Sequence, residues 1–177
     1  MEKNKISVKP PNDGVLAIAL VGLSEEIIDQ QFLLIQDVDD HGLGDGLRKF
    51  GIAGGGIEKS DATIVAAMQR EFDEEVGIKY KKVLFKKFGC YKKNRFGGYT
   101  NDNHLFIIKL NFPPNQKFST NDTAEVSDIH VFKLREIISM AKAGMVHEGS
   151  IRLIFLYLLG IKKGSLNDPV TWNGYTF

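Results

Sequence analysis

Apolar residues along the chain fall into short runs separated by polar and glycine-rich breaks. VLAIALVGL, Val15 to Leu23, is short and rich in Val, Ile and Leu, which predicts a buried strand. A polar stretch from Ser24 to Gln30 ends it, and QFLLIQDV, Gln31 to Val38, predicts a second strand, so the pair reads as a hairpin with a long connection. Asp39 to Gly46 reads as a turn-rich loop with Gly42, Gly44 and Gly46. RKFGIA predicts a short strand running into Gly54-Gly55-Gly56. A helix is predicted over Ala62 to Val76, capped by Ser60 or Asp61 and stopped by Gly77. Lys82 to Tyr91 and His104 to Leu110 predict strands flanking a Gly- and Lys-rich loop, and Ile129 to Phe132 another. Leu134 to Ala143 and Ser150 to Leu159 read as helices. The tail from Lys162 carries Trp172, Tyr175 and Phe177, which favours packing on the body. Strands on both sides of a helix, with more helix at the end, imply an α+β fold: a mixed sheet between helical layers.

The 177 residues fit one domain, 1–177, with a polar, proline-containing and flexible segment over 1–12. That segment lacks the apolar core of a signal peptide, and no apolar run is long enough to span a bilayer, so a cytoplasmic protein is expected. Net charge is +1, which gives no field drawing the chain to nucleic acid or membrane. Cys90 is the sole cysteine, which excludes an intrachain disulfide framework; it reads as a small, partly buried hydrophobe.

Candidate chemistry concentrates in REFDEEVGI, Arg70 to Ile78. On a helix Glu71, Glu74 and Glu75 share one face, while Ala67, Phe72 and Val76 can turn toward a core. Three carboxylates on one exposed stripe repel one another unless Arg70, nearby lysines or a bound cation compensates them. Oxygen-only ligands favour Mg²⁺ or Mn²⁺, which also take phosphate oxygens. The three glycines upstream leave backbone carbonyls open to a metal and let the helix start approach a phosphate.

This segment resembles the Nudix box, G-x5-E-x7-R-E-U-x-E-E-x-G-U. Gly56, Arg70, Glu71, Glu74, Glu75, Gly77 and Ile78 fall at its spacing, with aromatic Phe72 at an aliphatic position. The resemblance implies a Nudix-type α/β/α sandwich and a hydrolase cleaving a diphosphate linkage in a nucleoside diphosphate derivative or nucleoside triphosphate by metal-activated water. It implies Mg²⁺ or Mn²⁺ held by Glu71, Glu74, Glu75 and the Gly56 carbonyl, with Arg70 orienting Glu71. The box's first glutamate falls at Ala62, and Asp61 is the nearest acid to stand in. That departure leaves open a catalytically weak nucleotide-binding or sensor module.

Members often use an acid outside the box as base or extra ligand; Glu125, or Asp128, lies before the IHVF strand. The stretch from Lys86 to Tyr99 interleaves cations with aromatic rings, and Lys93, Arg95, Phe96 and Tyr99 are its candidates for substrate binding. His41, His104, His130 and His147 lack metal-ligand spacing and read as structural or exposed. The partner expected is a small-molecule nucleotide, with homodimerisation left open.

Overall fold

The computed structural model describes residues 13–38, 48–78, 84–94, 99–112 and 118–176. Its spine is β1 (Gly14–Val21), buried along most of its length. Such a strand must be covered on both faces, and its two sets of alternating side chains enter different cores. Ile18 and Leu20 pack with α2 (Leu134–Lys142) and α3 (Glu148–Leu158). Val15, Ala17 and Ala19 pack with α1 (Ile64–Val76). The result is the expected sandwich, a mixed sheet between helical layers.

One edge of β1 runs parallel to β6 (Thr100–Leu110), from Gly14 beside Asn103 to Val21 beside Leu110. Its other edge is divided. Ala19 to Val21 pair with β2 (Gln31–Asp37), whereas Gly14 to Ala17 pair with β4 (Ala53–Gly56). β2 likewise leaves β1 and pairs Ile35 and Gln36 with β3 (Phe50–Gly51). The segment 50–56 is therefore wedged where β1 and β2 diverge. β7 (Val126–Lys133) covers the far edge of β2, and β5 (Phe85–Asn94) pairs with β6.

The expected elements recur with shifted ends. The glycines Gly54 to Gly56 are strand residues of β4, because β1 offers them a partner. β6 starts at Thr100, earlier than expected, because its polar start is held by pairing with Tyr91 to Asn94. α1 is capped by Thr63, whose Oγ1 accepts from the Ala66 N–H at 3.0 Å, and not by Ser60 or Asp61. At its other end Gly77 takes the left-handed conformation (φ 69°) and its N–H donates to the Asp73 carbonyl. The tail packs as expected. β8 (Lys163–Ser165) runs parallel to β5, and buried Trp172 stacks on Phe155 with ring centroids 5.4 Å apart. Residues 1–12, 39–47 with His41, and 95–98 with Arg95 and Phe96 lie outside the described residues.

Candidate active site

The divergence of β1 and β2 opens a cleft of about 640 Å³. Gly14 and Leu16 of β1, Ile35 and Asp37 of β2, and the 51–56 segment line it, and glycines there keep its floor free of side chains. Of the candidate catalytic, metal and substrate residues read from the sequence, Gly56, Glu75, Glu125 and Lys93 line this cleft. Tyr99 is described but is not among its lining residues. Asp128 instead holds His130 at 2.8 Å.

The acidic stripe of α1 is not uniformly exposed, which corrects the sequence expectation. α1 buries Ala67, Met68, Phe72 and Val76, and Glu75 lies on the same buried face at 6% exposure. β4 packs against this face, so the carboxylates meet strand glycines before they meet water. The Gly54 N–H donates to Glu75 Oε2 at 2.6 Å. Gly55 leaves room for Glu71: a Cβ there would stand 2.5 Å from its carboxylate. Gly54 is pinned more tightly, since its φ of 147° suits only glycine and a Cβ would stand 2.1 Å from the Val15 carbonyl oxygen. Glu74 stays exposed.

Burial is the main influence on Glu75. It outweighs the Gly54 hydrogen bond, and the charges of Glu71, Glu125 and Asp37 add to it, so the pKa is pushed up to about 9. Glu71 is raised too, mainly by burial, with Arg70 pulling the other way. Arg70 is the organising cation. Its guanidinium donates to Glu71 at 2.9 Å, to Glu74 at 3.1 Å and to the Gly56 carbonyl at 2.9 Å. Asp61 accepts from it twice, at 3.2 and 3.0 Å, and also takes the Glu58 N–H at 2.8 Å. Asp61 thus ties the loop before α1 to Arg70, while Ala62 is exposed.

The donor set fits a hard divalent cation: it is all oxygen, and one of its carboxylates, Glu75, is buried without a countercharge of its own among the described residues. Among the described residues no three metal-ligating side chains already converge on one point. Arg70 occupies oxygens of Glu71 and Glu74, so cation binding requires those contacts to be shared or exchanged.

Several cleft residues escaped the sequence reading. Asp37 and His147 form a hydrogen-bonded pair on its wall. His147, expected to be structural or exposed, is half-buried and held by Asp37, a pairing that no local spacing signals. The N-terminal turn of α3, with Gly149 and Ser150, also lines the cleft. Asn101 and Asn103 line it from β6. Their available signal was alternation: they continue the inward-facing positions of Leu105 and Ile107.

A profile of the NUDIX domain matches residues 15–154. No curated protein matches the chain by sequence. Solved structures share its fold. The NUDIX domain of NrtR from Shewanella oneidensis, complexed with ADP ribose, aligns with a TM-score of 0.63 and 18% identity over 86% of this chain and 89% of that one. A NUDIX hydrolase from Nitrosomonas europaea aligns at 0.58 and 23% identity, over 88% and 93%. The E. coli dihydroneopterin triphosphate pyrophosphohydrolase aligns at 0.59 and 16% identity, over 85% and 97%.

Proposed function

The chain belongs to the Nudix hydrolase family, and we propose that it hydrolyses a diphosphate linkage in a nucleoside diphosphate derivative or a nucleoside triphosphate, with Mg²⁺ or Mn²⁺. The observation that carries this reading is Glu75: a buried carboxyl group lining a nucleotide-sized cleft, with Glu71, Glu125 and Asp37 raising its proton affinity further. Burial of this kind costs stability unless a cation offsets it.

Glu71, Glu74 and Glu75 would hold the metal, with the Gly56 carbonyl, whose second lone pair is left by the Arg70 contact. When bound, the metal offsets phosphate charge and lowers the pKa of a coordinated water. The chain's own groups do the rest. Arg70 is a positioning residue, orienting Glu71 and Glu74 while Asp61 anchors it. Glu125, like Asp37, is an acid outside the helix that acts on the stripe, and Glu125, which acts on both Glu71 and Glu75, is assigned as proton acceptor. Lys93, on another strand, offers positive charge to the phosphates.

A binding module without turnover drew its support from Ala62. The Asp61–Arg70 bonds weaken that support, because the loop retains an acidic anchor one residue earlier.

The test is a panel of nucleoside triphosphates, nucleotide sugars, dinucleoside polyphosphates and ADP-ribose, with phosphatase-coupled release of phosphate. Turnover with Mg²⁺ or Mn²⁺ and none in excess EDTA is expected. Undiminished turnover in EDTA overturns the metal assignment, and no turnover on any substrate overturns the hydrolase reading.

A further inference from the structure

On β6 alternate side chains face the α2–α3 layer. Ile107 and Leu105 fill that core, and the next two positions on the same face are Asn103 and Asn101. They are as buried as the core residues, at 5% and 2% exposure. Register sets Gly14 and Tyr91 beside Asn103, and Lys93 beside Asn101. An apolar face thus turns into amides where it becomes the wall of the cleft.

Asn103 is held in place from below. A Cβ on Gly14 would stand 2.7 Å from its Oδ1, so the amide uses the space that this glycine leaves. The neighbouring Tyr91 hydroxyl is committed to the Ile161 carbonyl at 2.5 Å. Among the described residues nothing accepts from Asn103 Nδ2, although that atom is buried. An unpaired buried donor costs stability that a leucine of similar size would not. Asn103 is one of the residues that wall the cleft, together with Leu16, Leu153 and Leu166.

We propose that Asn103 is a specificity-determining residue: its Nδ2–H donates to a carbonyl oxygen or ring nitrogen of a nucleobase-like heterocycle seated against these leucines. This rests on the reading of the cleft as a nucleotide site. The side chain belongs to the α2–α3 face of the sheet, whereas Glu75 comes from α1 on the other face. Asn103 therefore meets the organic end of the substrate, away from the acids. A neutral amide among leucines suits a flat, largely apolar ring with one acceptor; phosphate oxygens are better served by charge.

The experiment is calorimetric titration of the whole protein in EDTA, which needs no turnover. The probes are AMP, GMP, CMP and UMP, with ribose 5-phosphate as the control lacking a base. At least one nucleotide is expected to bind the wild type about tenfold or more tightly than ribose 5-phosphate. Asn103→Leu should remove about tenfold of that excess and leave ribose 5-phosphate binding unchanged. Its thermal midpoint should equal or exceed the wild type's, because an unpaired amide has gone. Gly14→Ala, which displaces the amide without altering it, should cause the same loss of selectivity. The proposal is overturned if no base adds affinity, if Asn103→Leu keeps the preference, or if Asn103→Leu melts well below the wild type, which would show the amide to be internally satisfied. Base-selective binding without hydrolysis of any substrate would uphold the proposal while removing the proposed reaction.

Discussion

Replacing Glu75 with glutamine should stabilise the metal-free protein while disabling it. In the fold the carboxyl has a pKa of about 9, against 4.5 for a free side chain. Between these values the folded protein holds a proton that the unfolded chain releases, so stability falls as pH rises through this window. At pH 7 the penalty is about 3 kcal/mol, from roughly 1.4 kcal/mol per pH unit above 4.5. Glutamine carries no such penalty, and its carbonyl can still accept the Gly54 N–H. Its amide N–H₂ takes the place of the acid's O–H, and imperfect pairing there trims the gain to about 1–3 kcal/mol. Urea unfolding in EDTA at pH 5, 7 and 8.5 reads this directly. The two proteins should be close at pH 5 and separate progressively above it, with the glutamine variant the more stable. Mn²⁺ should then raise wild-type stability at pH 8.5 and leave the variant nearly unchanged, while turnover of the variant falls roughly 10²-fold. A flat wild-type profile from pH 5 to 8.5, or a variant less stable than wild type at pH 8.5, would refute the argument that burial controls this group.

Glu74→Gln should lower turnover by a similar factor, roughly 10²-fold, with little effect on folding because the side chain is exposed; near-wild-type rates for both glutamine variants would remove the stripe from the site. Asp61→Ala should cost about 1.5–3 kcal/mol in chemical denaturation, since it leaves Arg70 without its two-point anchor, and a value near zero would show that anchor to be dispensable. Gly55→Ala should push the Glu71 carboxylate away and depress turnover with a modest effect on stability. Gly54→Ala should instead fail to fold or lose more than about 3 kcal/mol, because its φ and the Val15 carbonyl both exclude a side chain. Equal behaviour of the two glycine variants in unfolding and activity assays would contradict this division.

The local grammar of the chain carried most of the elements. Short apolar runs marked β1 and β2, and the Glu71, Glu74, Glu75 and Arg70 pattern placed the candidate chemistry on one helix, because helical spacing is a property of neighbouring residues. Spacing could not say which carboxylate would be buried. Glu75 became the buried one only because β4 packs against α1, and β4 is a strand only because β1 turns half its edge from β2 to the glycines. Thr63 rather than Asp61 caps α1 for a related reason: Arg70, nine residues on, claims the Asp61 carboxylate. The pairing of Asp37 with His147 joins residues 110 positions apart, and the Asn103 amide reaches the cleft through the parallel register of β6 with β1. Such contacts depend on which strands become neighbours, and that is settled by long-range packing of two cores rather than by the order of residues along any one segment.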